Sequence, residues 1–220
     1  KTLTDMTAGD TNRVAIMLGD TVVVRKAGEI IPEIIKALPE KRDGSQVEFL
    51  MPSVCPSCGG QVVKDESGDG IAIRCINPAC PAQTARSITH FASKGAMNID
   101  GLGPQIVELL LANGKIRDAA DLYSLKVEDV ETLERMGKKS AQKLVLAIEA
   151  SKSVGLARLI YALGIRNIGE VAAAALAARY GTLEACFDAT LEELCAIEDF
   201  GEITAKCVVD FFSHPQNREL

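Results

Sequence analysis

The 220 residues carry 24 Lys and Arg against 30 Asp and Glu, a formal net charge of −6. That balance argues against a broad polyanion-binding surface, so any phosphate contact must come from individually placed groups. The chain is long enough for one large or two to three small domains. It has no apolar run approaching a membrane span and does not open on a signal-peptide pattern. Aromatics are only 4 % with no Trp, while Ala, Leu, Ile and Val are plentiful, which suits helices packed through small side chains.

Residues 1–54 read as strand and turn. Asn12 to Leu18 leads through Gly19-Asp20 into the β-branched run Thr21 to Lys26. Gly28 breaks it, and Glu29 to Leu38 resumes an apolar run interrupted by Pro32, so that strand is expected to be bent, bulged or at an edge. Lys41-Arg42-Asp43-Gly44 reads as a turn before a short strand, Gln46 to Leu50. Strands this few and short do not close a core, and the segment is expected to be a partial barrel whose opening strands lie before Lys1. Lys41 to Gly44 also matches the K-x-D-G of a covalent nucleotidyltransferase. That chemistry needs its lysine at the end of a buried strand, in a pocket that lowers its pKa; a turn beside Pro39 offers neither, and the match reads as coincidence.

Residues 55–90 read as a metal module. Cys55 and Cys58, then Cys75 and Cys80, form a C-x2-C-x16-C-x4-C pattern with Pro56, Gly59, Gly60, Pro78 and Pro81 in or beside the knuckles. Two such pairs joined by a strand hairpin, Gln61 to Lys64 and Ile71 to Arg74 about the turn Ser67 to Gly70, converge on one tetrahedral ion. Four thiolates around Zn2+ are expected. No carboxylate or imidazole lies inside either knuckle, so the site reads as structural; an iron–sulfur centre uses the same ligands and stays open. Three further cysteines, Cys186, Cys195 and Cys207, make the count odd and lie on apolar helical stretches. Cysteine usage fits free thiols in a reducing compartment better than disulfides.

From residue 91 onward the pattern repeats. Asp100 to Pro104, Glu134 to Lys138, Arg166 to Glu170 and Glu198 to Glu202 each join an apolar helix to a second one through a glycine turn. The closing glycines Gly103, Gly137, Gly169 and Gly201 are 34, 32 and 32 residues apart, the period of stacked helix pairs. One such glycine is read simply as a helix cap. Four at one period point to backbone N–H groups aimed at phosphate oxygens, with glycine letting the strand approach. Such contacts read a duplex backbone without sequence preference. The candidates are Gly101 and Gly103 at the first turn, Arg135, Gly137, Lys138 and Lys139 at the second, and Arg166 and Gly169 at the third. The fourth, ringed by Glu198, Asp199 and Glu202, should repel phosphate, and Gly201 is expected to serve helix packing.

The order of strand segment, four-cysteine module and helical repeats resembles the bacterial NAD-dependent DNA ligases over nearly the whole chain. The resemblance rests on Gly19 to Pro32, Cys75 to Gln83, His90-Phe91 with Met97 to Gly103, Glu134 to Ala141, and Tyr161 to Arg166. Near the start the chain has Lys1-Thr2-Leu3-Thr4-Asp5 where the family commonly carries Ala-Thr-Leu-His-Asn. The resemblance implies a mainly α, multidomain C-terminal fragment. Its parts would be a partial oligonucleotide-binding barrel over 1–54, a four-cysteine zinc finger over 55–90 with Cys55, Cys58, Cys75 and Cys80 as ligands, and a four-motif helix-hairpin-helix domain over 91–220. It implies the non-catalytic DNA-binding portion of an enzyme that seals nicks between a 3'-hydroxyl and a 5'-phosphate in replication and repair. NAD+ and Mg2+ would be bound elsewhere, by an upstream adenylation domain. Arg25 and Lys26 would meet the minor groove near the nick. The expected setting is a monomer on nicked duplex in the bacterial cytoplasm, at the nucleoid. Two rival readings are a stand-alone, non-sequence-specific DNA repair subunit and a protein-interaction module; salt-dependent affinity for nicked duplex separates the last from the others.

Overall fold

A computed structural model describes residues 15–28, 31–65, 72–77 and 80–219. The chain divides into two compact units, 1–80 and 81–220.

In the first unit, β1 (Val22–Ala27) pairs antiparallel with β2 (Ile31–Ala37). Pro32 sits in β2 opposite Lys26, and the register shifts between Val23 and Val24. A two-stranded ribbon consists only of edges, so the missing Pro32 N–H breaks no interior ladder. One 3-10 turn, Pro39–Lys41, follows. The expected strand Gln46 to Leu50 does not form: Val47 makes a single bridge to Leu18. Gly19, at φ +88, and the turn closed by Asp20 N–H on Met17 O (3.2 Å) deflect the chain straight after Leu18 and leave no further rungs. β3 (Val62–Asp65) and β4 (Ala72–Cys75) form a second antiparallel ribbon. The loop expected between them at Ser67 to Gly70 lies outside the described residues, as do Asn12 and Arg13. Among the described residues the two ribbons form separate sheets and no closed barrel is present, in keeping with the partial barrel expected over 1–54.

The second unit is helical. Its elements are α1 (Pro81–Ala92), α2 (Pro104–Ala112), α3 (Val127–Glu131), α4 (Lys138–Ser151), α5 (Leu156–Ala162), α6 (Glu170–Tyr180), α7 (Leu191–Cys195), α8 (Glu202–Ser213) and α9 (Pro215–Glu219). They pack as consecutive pairs, α1 on α2, α3 on α4, α5 on α6 and α7 on α8. Two apolar cores result. Ile88, Phe91, Val107, Leu110, Leu122, Val130, Leu144 and Ile148 anchor the first; Ile160, Leu176, Leu194, Val208 and Phe212 anchor the second. Tyr161 packs against both. Where α1 meets α5, His90 Nε2–H donates to Tyr161 O (2.9 Å) and Arg158 Nε donates to Ala96 O (2.7 Å). Helix α1 runs through the boundary expected at 90/91. Its apolar face, Ile88, Phe91 and Ala92, belongs to the first helical core, so the compact unit starts at Pro81. None of the seven cysteines forms a disulfide. Cys186 is a buried core residue whose thiol is pushed up to about 11 by burial and by Glu184, but Cys195 ends α7 exposed to solvent, against the expectation of an apolar face.

Candidate metal centre and nucleic-acid interface

The four cysteines of the first unit come together. Cys55 Sγ lies 3.8 Å from Cys80 Sγ, Cys58 Sγ lies 3.5 Å from Cys75 Sγ, and all four sulfurs fall within 4.8 Å of one another. A tetrahedral ion with Zn–S bonds of about 2.3 Å separates its sulfurs by about 3.8 Å, so the cluster fits such an ion. The knuckles that aim them are backbone-built. Gly59 N–H donates to Cys55 O and Cys55 N–H to Gly60 O (both 2.8 Å), while Cys80 N–H closes on Asn77 O (3.1 Å). Gly59 sits at φ +69. At Gly60 a Cβ would lie 3.2 Å from both Cys58 Sγ and Asn77 Cβ, so a side chain there presses directly on a ligand. Hydrogen bonds from the Gly60 backbone and the Asn77 side chain bring the Cys58 thiol down to about 6. The Asn77 amide also favours the Cys75 thiolate, but burial and the neighbouring Cys58 and Cys55 sulfurs outweigh it and hold that thiol up to about 12. Clustered thiolates therefore oppose one another until a cation neutralises them. Four sulfur ligands fill a tetrahedron and leave no position for a reacting water, which makes the centre structural.

The four helical turns share one geometry. Leu102, Met136, Ile168 and Phe200 N–H groups each bond the carbonyl three residues back, on Ile99, Leu133, Ile165 and Ile197, at 3.1–3.3 Å. The residue before each of these apolar ones has positive φ: Gly101 (+88), Arg135 (+65), Asn167 (+60) and Asp199 (+64). The glycine after it is the N-cap of the next helix, in extended conformation and with no side-chain cap. Its carbonyl accepts the first helical bond from Val107, Ala141, Ala173 or Ala205, all fully buried. Helices α4, α6 and α8 thus begin with uncapped N–H donors, and α2, whose first residue Pro104 has no N–H, begins with one fewer. Two other helix starts in the unit are capped, α7 by the reciprocal Thr190–Glu193 pair and α3 by Asp129 accepting from the Lys126 amide, while α5 behind Gly155 has no side-chain cap either.

Neither backbone conformation nor packing requires glycine at these four caps. Their φ values are negative, and a Cβ on Gly103, Gly137, Gly169 or Gly201 would meet nothing within 4 Å. Gly155, which starts α5, differs, because its φ of +89 accounts for glycine by itself. Gly201 borders open space like the others, while Phe200 of the same turn is buried in the second helical core. The side chains flanking the turns differ. Arg135, Lys138 and Lys139 are exposed, and among the described residues neither lysine forms an ion pair; Arg135 lies 3.5 Å from Glu134. Lys143 Nζ, 3.5 Å from Asp100, adds a cation beside the first turn. Arg166 is exposed beside the third turn.

In the first unit, Arg25 and Lys26 are exposed on β1, and Arg25 pairs across the ribbon with Glu33 (2.9 Å). Lys41 is exposed at the end of its one-turn helix. Its neighbours have local tasks. Arg42 forks onto Asp20 (2.7 and 2.6 Å) and reaches Ala15 O (2.8 Å), and Asp43 accepts from the Ser45 amide, the Ser45 hydroxyl and Gln46. Those bonds bring the Asp43 carboxyl down to about 2. The K-x-D-G match thus lies in a solvent-facing turn. Sequence reasoning missed Lys143 and the left-handed residues; Asn167 and Asp199, types that tolerate positive φ, were the available signal, whereas Arg135 carried none.

Residues 54–82 match the NAD-dependent DNA ligase C4 zinc finger domain, 94–150 a SAM-like helix-hairpin-helix tandem, and 158–220 the helix-hairpin-helix motif. The DNA ligase of Halothermothrix orenii is 48 % identical over 209 residues, covering 94 % of this chain and 31 % of the relative. Those of Heliobacterium modesticaldum and Pelotomaculum thermopropionicum are each 50 % identical, over 207 and 205 residues, covering 93 % of this chain and 30 % of the relative. The chain therefore spans just under a third of the length of the curated relatives it matches. With its cysteine cluster and its repeated glycine turns each falling inside a matched segment, the chain belongs to the NAD-dependent DNA ligase family, of which it carries the C4 zinc finger and helix-hairpin-helix portion.

Proposed function

We propose that this chain is the non-catalytic, duplex-gripping portion of an enzyme that seals nicks between a 3'-hydroxyl and a 5'-phosphate. The observation that carries the reading is the set of uncapped helix starts, each behind a glycine that the fold itself does not require. An N–H cluster at a helix start favours a phosphate oxygen, and the absent Cβ lets the strand come close. The second turn adds Arg135, Lys138 and Lys139 and takes the largest share of the ionic hold; Gly101, Gly103, Arg166 and Gly169 extend it. These groups touch backbone only, so the hold is indifferent to base sequence. Arg25 and Lys26 reach the minor-groove side near the nick. The cysteine cluster holds a structural Zn2+, whose one contribution is to cross-link the two knuckles. Adenylation by NAD+ with Mg2+ falls to another part of the same enzyme, and the grip serves to keep the reacting ends in line. The setting is a bacterial cytoplasm, with a monomer acting on nicked DNA at the nucleoid.

The test is a salt series of binding to nicked duplex. Gly137→Leu, whose Cβ would meet no atom within 4 Å, should weaken binding at least tenfold with its thermal melt unchanged. Lys138→Glu should also lower the slope of log affinity on log salt by about one or more. Unchanged affinity in both variants overturns the reading.

A further inference from the structure

The two pairs of helical turns share a backbone and differ in chemistry. From three residues before each glycine to four after it, the first and second turns carry three cations, Arg135, Lys138 and Lys139, and two carboxylates, Asp100 and Glu134. The same windows of the third and fourth carry one cation, Arg166, and four carboxylates, Glu170, Glu198, Asp199 and Glu202. The second residue of each following helix changes with them. Gln105 and Lys139 occupy it in the first pair, Val171 and Ile203 in the second, and these two aliphatic side chains are 80 % and 65 % exposed. Between the start of α6 and the fourth turn runs a cleft of about 520 Å3. Val171, Ala175 and Phe200 line it, with Glu170, Glu198 and Asp199 among its walls.

We propose that this cleft docks a protein segment bearing one aliphatic or aromatic anchor flanked by Lys or Arg. The choice of occupant rests on charge complementarity. A nucleic-acid strand brings negative charge to a rim of carboxylates, whereas a basic segment is drawn to it and kept in register. The apolar lining gives the anchor a place to leave water, and the volume suits one or two side chains. Gly169 lies in the same cleft, so the segment and a DNA strand at the third turn exclude each other, while the second turn stays free. A partner seated here trades one strand contact for its own and leaves the main ionic hold in place.

Random twelve-residue peptides displayed on phage, selected against the whole chain, test this directly. Enriched peptides should place two or more Lys or Arg beside a Leu, Ile or Phe. Made synthetically, they should lose about tenfold in affinity for Val171→Ser, and for Glu198→Gln combined with Asp199→Asn, a residue that tolerates the left-handed turn. Lys138→Glu should leave their affinity unchanged. Absence of enrichment, or equal affinity for all variants, overturns the proposal. So does a fall in nicked-duplex binding by Val171→Ser with peptide binding intact, which would make this face part of the DNA interface. Failure of the wild-type chain to bind nicked duplex sinks the proposed function and leaves the peptide result standing.

Discussion

Among the described residues of the first unit three hydrophobic residues are buried, Ala37, Cys55 and Cys80, whereas the helical unit buries thirty. The first unit leaves Leu18, Val47 and Leu50 more than half exposed. A segment with so little core depends on a few directional bonds, here the cysteine cluster and the Arg42–Asp20 fork. The helical unit spreads its stability over two continuous apolar cores and can carry local cost at its turns. The consequence is that single changes in the first unit should act all-or-none, and those in the second should act by degrees.

The sharpest way to break that comparison is at the metal. Cys75→Ser, or a strong chelator, removes a ligand set whose metal-linked folding energy is on the order of 10 kcal/mol in small zinc modules. The expected outcome is loss of bound zinc by elemental analysis and loss of amide protection over 54–77, with protection of α1 to α8 retained. A cluster that stays protected without metal means the ribbons hold themselves. On the other side, Leu144→Ala opens a cavity in the first helical core at about 3 kcal/mol. It should lower the melting of the helical unit with zinc content unchanged.

The same contrast explains what was legible in the sequence. The cysteine spacing and the 32-residue glycine period are covalent and periodic signals, and both survive folding intact. β1, β2 and the zinc ribbon were also readable from β-branched runs broken by Gly. The strand at Gln46 to Leu50 was not, because a strand needs a partner and, among the described residues, Gly19-Asp20 turns the chain away after the single bridge from Leu18 to Val47. The bareness of Gly201 was hidden for a related reason: acidic neighbours suggested packing, but only the backbone path shows where a Cβ would point. The segregation of charge between the two pairs of turns was in the sequence throughout, and gained meaning once Val171 was placed beside Phe200.

A smaller effect separates directional bonding from packing in the first unit. The Asp20 side chain is only 1 % exposed, and Arg42 first, then the Met17 amide, hold its carboxyl below the usual carboxylate range. Its folded-state pKa is depressed, so its contribution is fully present above the unfolded value, about 4, and is lost as pH falls through the folded value. Asp20→Asn should abolish this part of the acid dependence of the first unit's amide exchange while leaving the helical unit's profile unchanged. Identical acid profiles in variant and parent would show that the fork contributes nothing.

The smallest expected effect has two signs. Arg135 holds φ +65 with an ordinary side chain, at a position where the other turns have Gly101, Asn167 and Asp199. A left-handed conformation costs a residue such as arginine about 1 kcal/mol, and Asn less. The first helical core absorbs that cost, since Met136 and Leu133 on either side of the turn pack into it. Arg135→Asn keeps the turn, so it should raise the stability of the helical unit by roughly half a kcal/mol. It also removes an exposed cation next to the open N–H groups at Gly137, and should weaken nicked-duplex binding while lowering the salt slope by about one. A stabilised variant with weaker DNA binding means that the strained arginine is kept for its charge. If stability and affinity fall together, Arg135 is needed for packing, and the helical unit has less reserve than its cores imply.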